Sequence, residues 1–95
     1  MQKYFVVIEK AESNYSAFSP DLPGCITVGA TIDETVSFMK EAIELYLEGI
    51  ADEGEAIPLS KSLRYYIEQG IFDESHIAEE YYIARVDVHL PKVAA

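Results

Sequence analysis

The sequence is poorest in the residues that carry most small-protein chemistry. It holds a single cysteine, Cys25, in 95 residues. One chain can therefore form neither an intramolecular disulfide nor a cysteine-based zinc cluster. Its two histidines, His76 and His89, are isolated and carry no metal-ligand spacing. Basic residues are scarce: 7 Lys and Arg stand against 17 Asp and Glu, a net charge of −10. Such a chain repels phosphate backbones and anionic lipid, which argues against direct contact with nucleic acid or membrane. No apolar run approaches membrane-spanning length, and no signal-like segment precedes the first strand pattern. With its lone thiol, that predicts a cytoplasmic protein. Internal repeats and low-complexity stretches are absent.

What is present suits one domain over residues 1–95. At this length a domain buries roughly two-thirds of the surface its unfolded chain exposes. Hydrophobic residues make up 49% of the chain, so a core without staples is within reach.

Residues 3–9 form a near-continuous run of strand formers. Tyr4, Val6 and Ile8 fall on one face and Phe5 and Val7 on the other, which predicts a central strand covered on both sides. A polar turn leads to a second strand at 15–19, ended by Ser19-Pro20. Pro20-Asp21-Leu22-Pro23-Gly24 is the most turn-prone segment, and a third strand is expected at 25–29. Thr31 and Glu34 form a capping box for a helix over 32–51. Ile32, Val36, Met39, Ile43, Tyr46, Leu47 and Ile50 give that helix one apolar stripe. A second helix is expected over 61–69, with Ser60 as cap and Gly70 as stop. Alternation over 81–90 marks a last strand.

The order β-β-β-α-α-β predicts an α+β fold. Three strands make an antiparallel meander, and a helical crossover returns the chain to a fourth strand parallel to strand 1, in the order 3-2-1-4 with the helices on one face. Phe5, Val7 and Ile83 then line an open sheet face, which predicts an even-numbered homo-oligomer. Phe38, Leu45 and Gly49 lie on a flank of the main helix off its stripe, where Leu63 and Ile67 of the second helix are expected to cover them.

The stretch from Tyr15 to Cys25, Tyr-Ser-Ala-Phe-Ser-Pro-Asp-Leu-Pro-Gly-Cys, is followed by Thr27-Val28-Gly29-Ala30-Thr31 and Asp33-Glu34. With its turn motif of Pro20, Leu22, Pro23, Gly24 and Cys25, it resembles the HicB-like antitoxin family. The likeness continues through Glu41-Ala42, Leu47-Glu48-Gly49 and Gly54-Glu55-Ala56-Ile57-Pro58. The resemblance implies a partial RNase H-like fold and neutralisation of a small basic toxin, HicA, which cleaves mRNA. Most members add a C-terminal DNA-binding domain, helix-turn-helix or ribbon-helix-helix. Here Ala95 follows soon after the last strand, so that domain is expected to be missing. The Ser60–Glu80 segment is longer than the simplest family pattern.

An RNase H-like architecture raises the question of nuclease activity, which needs carboxylates converging on two divalent ions. Glu9, Glu12 and Asp21 sit at strand ends or in turns, and Val6 and Val7 occupy the middle of strand 1. No enzymatic activity, metal or cofactor is therefore expected. Cys25 reads as a packing residue, because His76 and His89 lie far away in sequence as candidate bases. Asp21 has two readings, as a local acceptor that fixes its turn or as a partner contact, and the first is preferred. Tyr65-Tyr66 and Tyr81-Tyr82 fit an interface and a core edge equally well.

The expected function is that of an antitoxin that sequesters a small basic HicA-like toxin, with acidic residues steering the encounter. Phe5, Val7, Asp21 and Ile83 are its candidate partner or oligomer contacts. The alternative is an orphan oligomeric domain that acts as a scaffold or small-ligand regulator. In either case the isolated 95-residue protein should leave duplex DNA unshifted in a gel at physiological salt. A salt-sensitive shift on its own promoter at sub-micromolar protein would refute this.

Overall fold

The computed structural model describes residues 2–91. Met1 and residues 92–95 lie outside it, and with them the C-terminal end on which the expected lack of a DNA-binding domain turns. The elements are β1 (Gln2–Lys10), β2 (Tyr15–Phe18), β3 (Ile26–Gly29), α1 (Ile32–Asp52), α2 (Leu63–Glu68) and β4 (Tyr81–Val88). The strands form one sheet in the order β3-β2-β1-β4.

β1 organises the packing. Its side chains from Tyr4 to Ile8 are all buried, and alternation along the strand sends them to two separate clusters. Tyr4, Val6 and Ile8 pack with Met39, Ile43 and Leu47 of α1 and with Val86 and Val88 of β4. Phe5 and Val7 pack on the other side with Tyr66 of α2, bordered by Phe18, Ile71, Phe72 and Ile77. Each such side chain contributes about 1.5–3 kcal/mol on burial.

α1 begins where its cap residues demand. Thr31 Oγ1 accepts from the Glu34 amide at 3.0 Å, and Glu34 Oε1 accepts from the Ala30 amide at 3.1 Å. The buried face of α1 includes Thr35, a polar residue outside the apolar stripe. Its hydroxyl donates back to the Thr31 carbonyl at 2.6 Å, so burial leaves it satisfied. Thr35 also sits hard against Gly29. A Cβ at Gly29 would approach the Thr35 backbone N and Cα to 2.9 Å and collide with Thr35 Oγ1.

β4 runs antiparallel to β1, with Val7 opposite Ile83 and Glu9 opposite Tyr81. The expected parallel pairing is therefore incorrect, and so is the expectation that the two helices share one face. The reason is a second traverse of the sheet. After α1 the chain meets the N-terminal half of β1, where the Tyr4 hydroxyl donates to the Pro58 carbonyl at 2.5 Å and the Phe5 amide to Ser60 Oγ at 2.7 Å. It then passes to the opposite face, lays α2 on Phe5, and arrives at the far end of β1. There the Lys10 amide donates to the Glu80 carbonyl at 3.0 Å and the Ala78 amide to Glu9 Oε2 at 2.7 Å. A strand that starts beside the C-terminal end of β1 can only run back along it.

Two further expectations change with this. The sheet face of Phe5 and Val7 is not open, since α2 and the segment after it cover both residues. Phe5 and Val7 are thus core residues, whereas Ile83 on the outer strand remains 45% exposed. The cap of α2 is Ser62, whose hydroxyl accepts from the Tyr65 amide; Ser60 is engaged by β1 instead.

The two glycines that precede α1 matter for different reasons. Gly24 has φ +83° with open space around it, and the Cys25 amide donates to the Leu22 carbonyl at 3.0 Å. That is a type II turn with glycine at its third position. Gly24→Val should cost about 1–3 kcal/mol through backbone strain alone. Gly29→Ala should cost a similar amount, about 1–3 kcal/mol, through overpacking against Thr35. Urea unfolding of both variants measures this, and parental midpoints in either would contradict the corresponding account.

Candidate functional site

The Pro20–Cys25 turn is bonded to both helices, through Tyr46 of α1 and Tyr66 of α2. Leu22 and Cys25 are buried beneath it, and the Leu22 amide donates to the Ser19 carbonyl at 3.1 Å. Tyr46 of α1 donates its hydroxyl to the Pro23 carbonyl at 2.8 Å, so the turn and the helix are held together.

Asp21 reaches away from its own turn. Its Oδ2 accepts from the Tyr66 hydroxyl and from Ser60 Oγ, the latter at 3.3 Å. Tyr66 in turn accepts the Lys61 amide at 2.7 Å and stacks on Phe5 with ring centroids 4.2 Å apart. Arg85 of β4 lies 5.0 Å over the Phe5 ring and donates to the Lys61 carbonyl at 3.0 Å. Asp21 therefore latches α2 and its approach segment onto the turn, and the purely local role preferred from sequence is corrected. Burial, first, and the hydrogen bond to Asp21, second, raise the Tyr66 pKa above its ordinary 10.0. Tyr4 is raised as well, by burial and then by the nearby Asp21 charge.

The other predicted residues do not converge. Cys25 is buried, and burial pushes its thiol pKa up, the opposite of what a nucleophile needs. His76 lies between α2 and β4 and His89 just beyond β4. Glu9 is spent on the Ala78 amide. Among the described residues no group of three or more His, Cys, Asp or Glu side chains is placed to hold a metal ion. None of the helices there is long and apolar enough to cross a membrane. Ser60 and Tyr66, the partners of Asp21, were missed from sequence because they lie 39 and 45 residues away from it. The one usable signal was the carboxylate itself, which needs donors when it is drawn into a fold.

The model of the HicB-like antitoxin of bacterial toxin–antitoxin systems matches residues 4–93. The chain belongs to the HicB-like antitoxin family. Among relatives of this HicB-like chain, a 14.9 kDa protein from the rep-hol intergenic region of Haemophilus phage HP1 is 33% identical over 87 residues, covering 92% of this chain. The alignment spans only 61% of that phage protein. A UPF0150 protein of Archaeoglobus fulgidus is 51% identical over 47 residues, 48% of this chain and 68% of its own. The HicB-like fold also matches the crystal structure of the Burkholderia pseudomallei antitoxin HicB, with a TM-score of 0.74 at 25% identity over 99% of this chain and 67% of that one. A chain of the HicA3 and HicB3 toxin–antitoxin complex superposes with a TM-score of 0.71 at 24% identity, covering 93% of this chain and 99% of that one.

The Asp21 latch makes a pH-dependent prediction. Tyr66→Phe removes the donor to Asp21 and the acceptor of the Lys61 amide, and should cost about 1–3 kcal/mol near neutral pH. A raised folded-state pKa contributes stability that is present below the ordinary value of 10.0 and lost as pH rises through the raised one. The parent should therefore lose stability above that ordinary value more steeply than Tyr66→Phe. Urea midpoints over a pH series decide this, and equal slopes would rule out Tyr66 as the alkaline-sensitive group.

Proposed function

We propose that this protein is an antitoxin that binds a small basic HicA-type toxin and neutralises it by occlusion, with no chemistry of its own. The observation that carries this reading is the family match across residues 4–93. The HicA3–HicB3 complex, one chain of which shares this fold, supplies the precedent for the kind of partner.

The chain itself agrees on physical grounds. A net charge of −10 steers a basic protein toward it and accelerates encounter. The same charge leaves these 95 residues ill-suited to holding duplex DNA. The centre of the sheet, at Val6 and Val7, is fully buried and apolar, so the middle of β1 presents no carboxylate for hydrolytic chemistry, and Glu9 near its end is engaged by the Ala78 amide. Of the four contact candidates, Phe5 and Val7 build the core, whereas Asp21, half-buried at the latch, and Ile83, 45% exposed, stay within reach of a partner or second copy.

Co-expression with the small protein encoded by the neighbouring gene tests the proposal. The two should co-purify, and this chain should relieve the growth arrest that the neighbour causes alone. A neighbour that stays toxic and elutes separately would overturn it.

A further inference from the structure

The outer face of α1 breaks three local rules at once. Leu45 is 71% exposed and Phe38 41%, although both are large and apolar. Gly49 sits in the last turn of the helix, where it is a weaker helix former than alanine, and a Cβ there would meet nothing within 4 Å. Glu48 and Asp52 occupy the C-terminal end, where the helix dipole disfavours negative charge, and no basic residue stands in the last turn. At 3.6 residues per turn, Phe38, Leu45 and Gly49 share one side of the helix, and Glu41, Glu48 and Asp52 run in the row beside them. Local rules broken together on one face, with no gain to the fold, mark a functional surface.

Among the described residues, no element packs over Leu45, which stays 71% exposed, and Phe38 is only partly covered. α2, the element expected over it, packs on the opposite side of the sheet. The two flanks of α1 are accounted for: Thr35 and Tyr46 meet Gly29 and the Pro20–Cys25 turn, while Glu44 accepts the His89 amide at 2.8 Å. The one salt bridge among the described residues, Lys3–Asp87, lies elsewhere. Lys40 is the only basic residue of α1, so the acidic row keeps its charge.

That charge selects the occupant. A second copy would set Glu41, Glu48 and Asp52 against carboxylates of the same kind, and like charges across an interface are costly. Nucleic acid and anionic lipid are repelled for the same reason. We propose that the outer face of α1, centred on Leu45 and Gly49 and edged by Glu41, Glu48 and Asp52, docks a basic, apolar-centred surface of a protein partner. Leu45 and Phe38 supply the apolar contact. Gly49 lets the partner approach the helix backbone closely, and the acidic row pairs with lysines or arginines at the rim. The docking role rests on the reading of this protein as a toxin-binding antitoxin, and it identifies the surface used.

The test uses the neighbouring-gene product as the probe, against the full chain and three variants. Leu45→Glu strikes the centre of the face, and the Glu41→Lys/Glu48→Lys double variant reverses its edge. Ile67→Glu alters a residue that is 57% exposed on α2 and serves as the control. All positions are exposed, so melting temperatures should stay within about 4 °C of the parent. Leu45→Glu should weaken binding about tenfold or more. The double variant should slow association and flatten its salt dependence. Ile67→Glu should bind as the parent does. If the parent binds and both α1 variants bind equally tightly, the surface is misplaced while the antitoxin reading stands. If the parent does not bind the probe, the antitoxin reading fails and this proposal falls with it. If sedimentation shows a dimer that Leu45→Glu dissociates, the face belongs to a second copy and the proposal is overturned.

Discussion

A strand buried on both faces needs cover from both sides, and in this molecule that need meets a gap beside β1. β2 has four residues and stops at Phe18, opposite Val7. The N–H and C=O of Phe5, two residues earlier in β1, are left without a strand partner next to the core. Orphaned groups of this kind cost about 1–3 kcal/mol each. Two serine hydroxyls replace the missing strand: Ser60 Oγ accepts from the Phe5 amide at 2.7 Å, and Ser19 Oγ donates to the Phe5 carbonyl at 2.9 Å. The gap thereby becomes the place where the chain changes sides. Once it has crossed there, α2 falls on the Phe5 and Val7 face and β4 must run antiparallel to β1.

The turn that carries the family likeness sits at the same gap, and physics explains why so many of its residues matter. Gly24 supplies the positive φ, the Pro23 carbonyl receives Tyr46 from α1, and Asp21 holds Tyr66 and Ser60 from the crossing segment. Leu22 and Cys25 seal the core underneath. One short loop thus sets α1 against the near face of the sheet and ties α2 to the far face. A change there is transmitted to both helices, and so to any surface that α1 presents.

The two sides of the sheet consequently divide their labour. The far side, with Phe5, Tyr66 and Phe72 in aromatic contact, is spent on internal cover. The near side places a long helix whose inner stripe is buried and whose outer stripe mixes apolar and acidic side chains. Such an arrangement lets a rigid element hold its outer side chains in place while the rest of the chain holds the element.

Much of this was legible from residues close together in the chain. The two-sided burial of β1 follows from strand formers at successive positions, and the start of α1 from Thr31 and Glu34. The buried stripe follows from apolar residues at helical spacing, and the Gly24 turn from the Pro-Gly pair. Each depends on neighbours within one turn or one strand pair, so local chemistry determines it. The side of the sheet taken by α2, the direction of β4 and the duty of Asp21 were not legible. They depend on contacts such as Phe5 to Ser60 and Asp21 to Tyr66, which span 55 and 45 residues. A pattern of apolar residues says that a face must be covered, but it does not say which segment covers it. Only the three-dimensional path shows that the cover for Phe5 comes from α2, and that among the described residues this helix does not cover the outer face of α1.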